Sequence, residues 1–424
     1  MPMGVHHGGM SGSSIDVRTW RALVRERVVL HPRVELVPLE EARGRVLAEP
    51  VTSPEDVPAV PTSAMDGFAV RREDLRAPGT STLPVVADLP ARPGATPSLP
   101  AGAAMRIMTG APVPDGADAV VEVEATDADP FAAAPRTVAI ALEELPVPQR
   151  HIRARGEEVA VGDHLAGPGD RVGPGLLGVA RSLGIEALPV QAPVRVGVVV
   201  TGDELDRGTA GSPARTAPPP GTVRESNGLM LASALRADGA LPRTAHCGDD
   251  PQALRDLLES LEADCDLVVT TGGIGQGAFD VVRAALGPQG TGSSELAHLA
   301  LRPGGPQGLG RLPAGTPVLH LPGTPVGALV GYHLFVRAVL PGVDSSSQRM
   351  PLGEDPGEFR GRRGRHAVLA QPGRRRFGKD GRPVVDVLPG RRLTPYSRAD
   401  CLVLREPDAP TGQGGDLEVL VLPL

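Results

Sequence analysis

Aromatic side chains are scarce in this chain, at 2% of its 424 residues, so its cores must rest on Val, Leu and Ala. Lysine is rarer still. Lys379 is the only one, and any anion site therefore has to use arginine, histidine, backbone amides or metal. The three cysteines, Cys247, Cys265 and Cys401, stand far apart without CxxC spacing. That excludes a disulfide scaffold or zinc module and fits a reducing compartment. The formal charge of -7 argues against a general nucleic-acid binder. No apolar run approaches bilayer-spanning length, and residues 1–14 lack the apolar centre of a signal peptide. The ten histidines show no metal-ligand spacing, and the pair His6-His7 reads as part of a tail. No Ser/His/Asp set is evident. The expectation is a cytoplasmic protein with neither a nucleic-acid nor a membrane partner.

What is present points to several domains, because 424 residues exceed one core. Residues 14–30 read as a helix, and a short helix within 37–47 ends near Gly44. Between 51 and 142 short apolar runs alternate with Pro/Gly-rich turns, as in a small β-rich domain. Residues 143–190 return to a mixed pattern, with a helix over 175–183 closed by Gly184. The expected plan is a discontinuous linking domain (14–50 with 143–190), an inserted β-rich domain (51–142), an α/β domain (191–344) and an all-β domain (345–424). In the α/β part, strands at 194–200, 241–247, 266–271 and 317–321, with one near 296–301, alternate with helices opening at Ser226, Asp250, Phe279 and Pro325. This predicts a mostly parallel, doubly wound sheet with ligands at the carboxyl ends of its strands. Near the C-terminus, Lys379-Asp380-Gly381 reads as a hairpin turn.

Two stretches carry combinations that folding alone does not require. Pro61-Thr62-Ser63-Ala64-Met65-Asp66-Gly67-Phe68-Ala69-Val70 holds one carboxylate at the tip of a small-residue turn. Arg106-Ile107-Met108-Thr109-Gly110-Ala111-Pro112-Val113-Pro114 is a second turn of the same kind. In the α/β part, Thr201-Gly202-Asp203-Glu204-Leu205 puts two carboxylates at a strand end. They read equally as a hard-cation site or as a solvated turn. Gly272-Gly273-Ile274-Gly275-Gln276-Gly277, followed by Asp280, presents amides suited to phosphate but is neither a P-loop nor a dinucleotide fingerprint. Asp250-Pro251 is a helix start, which leaves Asp249 freer to face a ligand. Arg302-Pro303-Gly304-Gly305-Pro306 and Leu321-Pro322-Gly323-Thr324-Pro325 end the next strands and read as ordinary turns when taken singly. The seven arginines of residues 360–376 read as a solvated face, with guidance of an anionic substrate second.

Taken in order, these motifs resemble the molybdopterin molybdenumtransferase family, which includes bacterial MoeA and the E domain of gephyrin. The likeness runs from about residue 14 to 424. It implies an elongated four-domain homodimer with a molybdopterin-binding α/β domain, an inserted β-rich domain and a C-terminal β-barrel. It also implies a reaction, in which adenylylated molybdopterin and molybdate, with Mg²⁺, give molybdenum cofactor and AMP. By motif, Asp66, Thr109 and Asp280 would be catalytic, with Asp66 and Thr109 reaching the partner's α/β domain. Thr201, Gly202, Glu204, Asp249, Gly272, Gly273, Gly277, His298, Arg302, Pro322 and Gly323 would bind substrate. Glu204, Asp249 and Asp280 would hold the metal. Further partners implied are a molybdopterin adenylyltransferase and molybdoenzyme apoproteins.

The chain departs from the family at Gly275 (usually Ser), Arg302 and His298 (both usually Lys), Gly305 (usually basic) and Thr324 (usually Asn). These departures support an alternative, an impaired paralogue that binds the pterin or assists assembly. The α/β part alone also resembles molybdopterin adenylyltransferase and the competence-damage family, but that reading leaves the motifs at 61–70 and 106–114 unexplained.

Overall fold

The computed structural model describes residues 14–92, 94, 97–206, 220–277, 280–356, 367–390, 392–407 and 416–421. Two compact units emerge, Val34–Val190 and the combination of Met1–Arg33 with Gln191–Leu424.

In the first unit a five-stranded sheet contains Gly67–Val70, Gly79–Leu89, Ala104–Ile107, Ala119–Glu122 and Thr137–Leu142. The strand Gly67–Val70, second in the sheet, is buried along its whole length and pairs antiparallel with Ala104–Ile107 on one side and Ala119–Glu122 on the other. Phe68, Val70, Ala104, Val121, Val138 and Ile140 fill the core of this sheet. A separate cluster of Val37, Leu39, Leu47, Val172, Ala180 and Leu188 joins the flanking segments. Its helix, Pro174–Ser182, has proline in its first turn and is followed by Gly184 at φ +67.

The second unit begins with helix α1 (Val17–Arg27), capped by Asp16, whose carboxylate accepts the Thr19 N–H. Its Val17, Trp20 and Val24 are buried in the same cluster as the α/β core. Residues 14–33 of the expected linking segment thus belong with the α/β elements, whereas residues 34–50 belong to the first unit. The apolar stripe of α1 fixes its membership, a tertiary choice that periodicity alone does not reveal.

The α/β elements run β1 (Arg195–Thr201), α2 (Asn227–Ala237), β2 (Leu241–Cys247), α3 (Pro251–Glu262), β3 (Leu267–Thr271), α4 (Val281–Leu286), β4 (Ser294–His298), β5 (Leu301–Arg302), β6 (Pro306–Arg311), β7 (Pro317–Leu321) and α5 (Pro325–Gly331). The main sheet has the order β2-β1-β3-β7-β6-β4. Its first four strands are parallel, and β6 runs antiparallel between β7 and β4. Val196 and Val198 of β1 face α1, α2 and α5, whereas Val199 faces α3 and α4. Both faces are thus covered, as continuous apolar strands in a parallel sheet require. Helix α3 starts where the sequence placed it, with the Asp250 side chain accepting the N–H groups of Gln252 and Ala253 and proline in the first turn.

Three expectations shift. The strand β6 was missed because Pro306, Gly308 and Gly310 hide its pattern. The helix expected from Phe279 is α4, starting at Val281, and Phe279 lies outside the described residues. The helix expected from Pro325 to about residue 340 is α5 followed by a π-helical turn, Tyr332–Val336, and a 3₁₀ turn, Arg337–Val339.

The C-terminal strands β8 (Ser347–Pro351), β9 (Val368–Phe377), β10 (Pro383–Val387), β11 (Cys401–Arg405) and β12 (Asp416–Val421) pair in the order β10-β9-β11-β12-β8. A bridge from Leu352 to Val385 joins β8 back to β10 and closes the barrel. Met350, Val385, Cys401, Val403 and Val419 fill its interior, while Ala370, Leu402, Leu404 and Leu420 belong to the α/β core. The hairpin at Lys379-Asp380-Gly381 is present, with Gly381 at φ +76. All three cysteines are free and buried, and no described helix is long and apolar enough to cross a membrane.

Candidate active site

In the first unit, the two turn motifs form one structure. Gly67 pairs with Ile107 and Phe68 with Arg106, while Gly110 donates its N–H to the Ser63 carbonyl. Gly67 is sterically required, since a Cβ there would lie 2.0 Å from the Val121 carbonyl oxygen. At the tip, Asp66 Oδ1 accepts both the Thr109 N–H (2.7 Å) and the Thr109 hydroxyl (2.8 Å). These two bonds hold the exposed Asp66 carboxyl below the usual carboxylate range. The geometry therefore supplies a fixed, ionised carboxylate facing solvent. Beside it, Arg106 makes a two-pronged contact with Asp88, and Glu122 pairs with Arg150 and His151.

In the second unit, the carboxyl ends of β1, β3 and β7 surround a cleft of about 670 Å³. Thr201, Gly202, Glu204, Asp249, Gly272, Gly273, Gly277, Asp280, Pro322 and Gly323 all line it. Ten of the expected residues thus converge on one cleft. The glycines permit this closeness. Gly272 has φ +100, and a Cβ on it would lie 2.7 Å from the Thr201 hydroxyl. Gly323 packs with its Cβ direction 3.2 Å from the Gly272 Cα, so the turns after β3 and β7 touch.

The loop after β3 is shaped from both sides. Asp280 accepts the Gly277 N–H, and the Arg283 guanidinium donates to the carbonyls of Gly275 and Ile274. Within the loop, the Gly272 N–H bonds the Leu321 carbonyl, as the Gly277 N–H bonds Asp280. Asp280 is thereby first a loop-shaping group.

Two expected binding residues, His298 and Arg302, do not line the cleft. His298 ends β4 in register with Pro306, and its ring lies against Gly305, so it sits behind the cleft-lining residues Gly304 and Pro306 rather than among them. Arg302 sits on β5, which leaves the main sheet to pair with β9 of the barrel. Gly304 and Pro306 line the cleft in their place.

The expected three-carboxylate metal set also needs correction. Glu204, Asp249 and Asp280 share the cleft, but among the described residues no three acidic, histidine or cysteine side chains gather to hold an ion. Asp280 is turned to Gly277, and Asp249 is turned to the Asp203 N–H. The donor set instead suits an ion held by one or two carboxylates together with substrate phosphates, the usual arrangement for Mg²⁺.

Sequence reasoning missed Arg283 and Asn227. The Asn227 side chain donates to the Thr271 hydroxyl (2.9 Å) and to the Gly323 carbonyl (2.8 Å), joining two strand-end turns. Its place directly after Ser226 in a helix start masked it as capping chemistry, yet Ser226 makes no side-chain cap. Of the arginine-rich segment, Arg375 and Arg376 pair with Asp400 and Asp386, and Arg360, Arg362, Arg363 and Arg365 lie outside the described residues.

Comparison with known proteins agrees with this geometry. Residues 15–184 match the MoeA N-terminal region (domain I and II), and residues 197–342 match a probable molybdopterin binding domain. Over 312 residues the chain is 42% identical to molybdopterin molybdenumtransferase 2 of Mycobacterium tuberculosis, covering 72% of this chain and 74% of that protein. The chain belongs to the molybdopterin molybdenumtransferase family. The Haemophilus influenzae molybdopterin molybdenumtransferase is 32% identical over 335 residues, 77% of each chain. The MoeA protein of Pyrococcus horikosii superposes with a TM-score of 0.75 over 96% of this chain and 99% of its own, at 23% identity, a likeness of fold. Within the family, the multidomain α/β-plus-β architecture and the C-terminal barrel are as expected.

Proposed function

We propose that this protein is an active molybdopterin molybdenumtransferase that inserts molybdate into adenylylated molybdopterin and releases AMP. The observation that carries this reading is the cleft at the β1, β3 and β7 ends. It combines a glycine loop with a carboxylate-rich wall in a chain of this family.

The cleft wall holds Glu204, Glu225, Asp249 and Asp280 against a single guanidinium, Arg224. A pyrophosphate placed there meets mostly like charge, so a cation has to accompany it. Mg²⁺ supplies that screening, with Glu204 and Asp249 as its protein ligands. The remaining amides of the 272–277 loop orient the phosphate oxygens. Asp66 and Thr109 are built but exposed, which fits a role completed by a second subunit. In the homodimer we infer, each Asp66–Thr109 pair serves the cleft of the partner. The setting is cytoplasmic, where reduced dithiolene sulfurs persist. A molybdopterin adenylyltransferase upstream and molybdoenzyme apoproteins downstream are the partners this chemistry calls for.

The test is AMP release from adenylylated molybdopterin, with and without molybdate and Mg²⁺. Release that needs both is expected, with loss in Asp280→Ala. A wild-type protein that binds this substrate but never releases AMP would instead establish the impaired paralogue.

A further inference from the structure

Asn227 is 6% exposed and lies on the wall of the cleft at the start of α2. Its amide orientation follows from its neighbours. The Thr271 hydroxyl donates to the Pro322 carbonyl (2.8 Å), so it must accept from Asn227. The Gly323 oxygen can only accept. Both protons of Asn227 Nδ2 are therefore committed, and the atom turned away from these turns is the acceptor Oδ1. That oxygen is buried without any hydrogen-bond partner. A buried unpaired acceptor is destabilising unless something satisfies it.

Resting on the molybdenumtransferase reading, we propose that Asn227 is a positioning residue whose Oδ1 accepts a hydrogen bond from an N–H of the pterin ring. The chemistry of the substrate narrows the choice. Ionised phosphates and molybdate carry no proton to donate and would be repelled by a bare carbonyl oxygen. Ring N–H and amino groups carry such protons. Within the substrate such donors occur on the pterin and on the adenosine, whose ribose hydroxyls also donate, and this domain matches a probable molybdopterin binding domain. The cleft is then polarised. The ring system lies against Asn227, where the Thr271 and Gly323 ends of the two turns meet, while the phosphates lie towards the 274–277 end of the loop after β3. The same residue also staples those turns, so ring binding and wall geometry are linked through one side chain.

The experiment titrates wild type and Asn227→Ala with molybdopterin and, separately, with AMP. The expected result is about tenfold weaker molybdopterin binding in the variant, with AMP binding unchanged. Equal weakening of both ligands would assign Asn227 a purely structural role and overturn the proposal. Selective loss of AMP binding, or no loss at all, would overturn it too. Should Asn227→Ala fail to fold, Asn227→Ser keeps the site small and polar and is read by the same ratio of affinities. Failure of the wild type to bind molybdopterin would instead remove the functional reading on which this rests.

Discussion

At the scale of single residues, the clearest design is the bond between Asp66 and Thr109. The Thr109 N–H and hydroxyl both favour the ionised form of Asp66, so its folded pKa is depressed. A depressed carboxyl is ionised throughout the neutral range and loses its charge only as pH falls through the lowered value. Thr109→Ala removes one of the two donors and keeps the backbone one. The acid limb of the pH–rate profile for AMP release should then move to higher pH, and a limb that stays in place would show that Asp66 does not set it. Asp66→Asn keeps the shape but removes the charge, and turnover should fall on the order of a hundredfold, a typical loss for a positioned electrostatic group. Gly67→Ala acts differently. Its new Cβ would sit 2.0 Å from the Val121 oxygen inside a fully buried strand, so the variant should lose at least about 3 kcal/mol in denaturant unfolding. The sequence displayed Asp66, Gly67 and Thr109 as oddities in two separate turns. It did not show that the turns are one object, because strand pairing between residues about forty apart is not written in local pattern.

At the scale of elements, the loop of residues 272–277 is set by what flanks it. Asp280 draws in one amide and Arg283 draws away two carbonyls. Arg283→Met keeps the apolar stem and removes the donors, so the loop should loosen. We expect binding of pyrophosphate with Mg²⁺ to weaken about tenfold, measured by calorimetry, with little change in melting temperature. Unaltered binding would mean the loop holds its shape without the arginine. Elements with strong periodicity or clear caps were legible in the sequence: β1 as an unbroken apolar run, α3 by its Asp250-Pro251 start, and the Gly381 hairpin. What escaped was β6, whose Gln307, Gly308 and Gly310 are buried although none is an apolar strand former. Gly308 and Gly310 are there for packing, since Cβ atoms would meet Leu296 at 2.5 Å and Ser294 at 2.3 Å. His298 was expected in the cleft by motif resemblance alone, and β4, on which it lies, is the outermost strand beyond β6. Ten cleft residues were nevertheless found, because strand-end turns in a parallel sheet share one edge whatever the outer strands do.

At the scale of the whole molecule, stability and assembly make separate demands. His320 is buried between Thr270 and Ser294, and His333 is buried beside Arg337. Burial pushes each imidazole down to about 3. Above the unfolded histidine value both states are neutral and neither group matters. As pH falls from about 6.5 towards 3, the unfolded chain takes up protons that the folded one refuses, so stability drops by about 1.4 kcal/mol per pH unit for each histidine. His320→Asn should remove one such contribution, and equal slopes for variant and wild type in urea unfolding between pH 7 and 5 would refute that assignment. Assembly enters through Asp66. If the active site is completed across a homodimer, Asp66→Asn and Asp280→Ala damage different halves of it. Each variant alone should keep no more than about one hundredth of the wild-type rate, but a mixed dimer holds one site with both halves intact. In an equal mixture that has exchanged subunits, about half the dimers are mixed and about a quarter of all sites are whole. AMP release should therefore recover to about a quarter of the wild-type rate on mixing. A mixture that remains inactive after proven subunit exchange would place both residues in the same subunit's site, and the shared-site dimer would have to be abandoned.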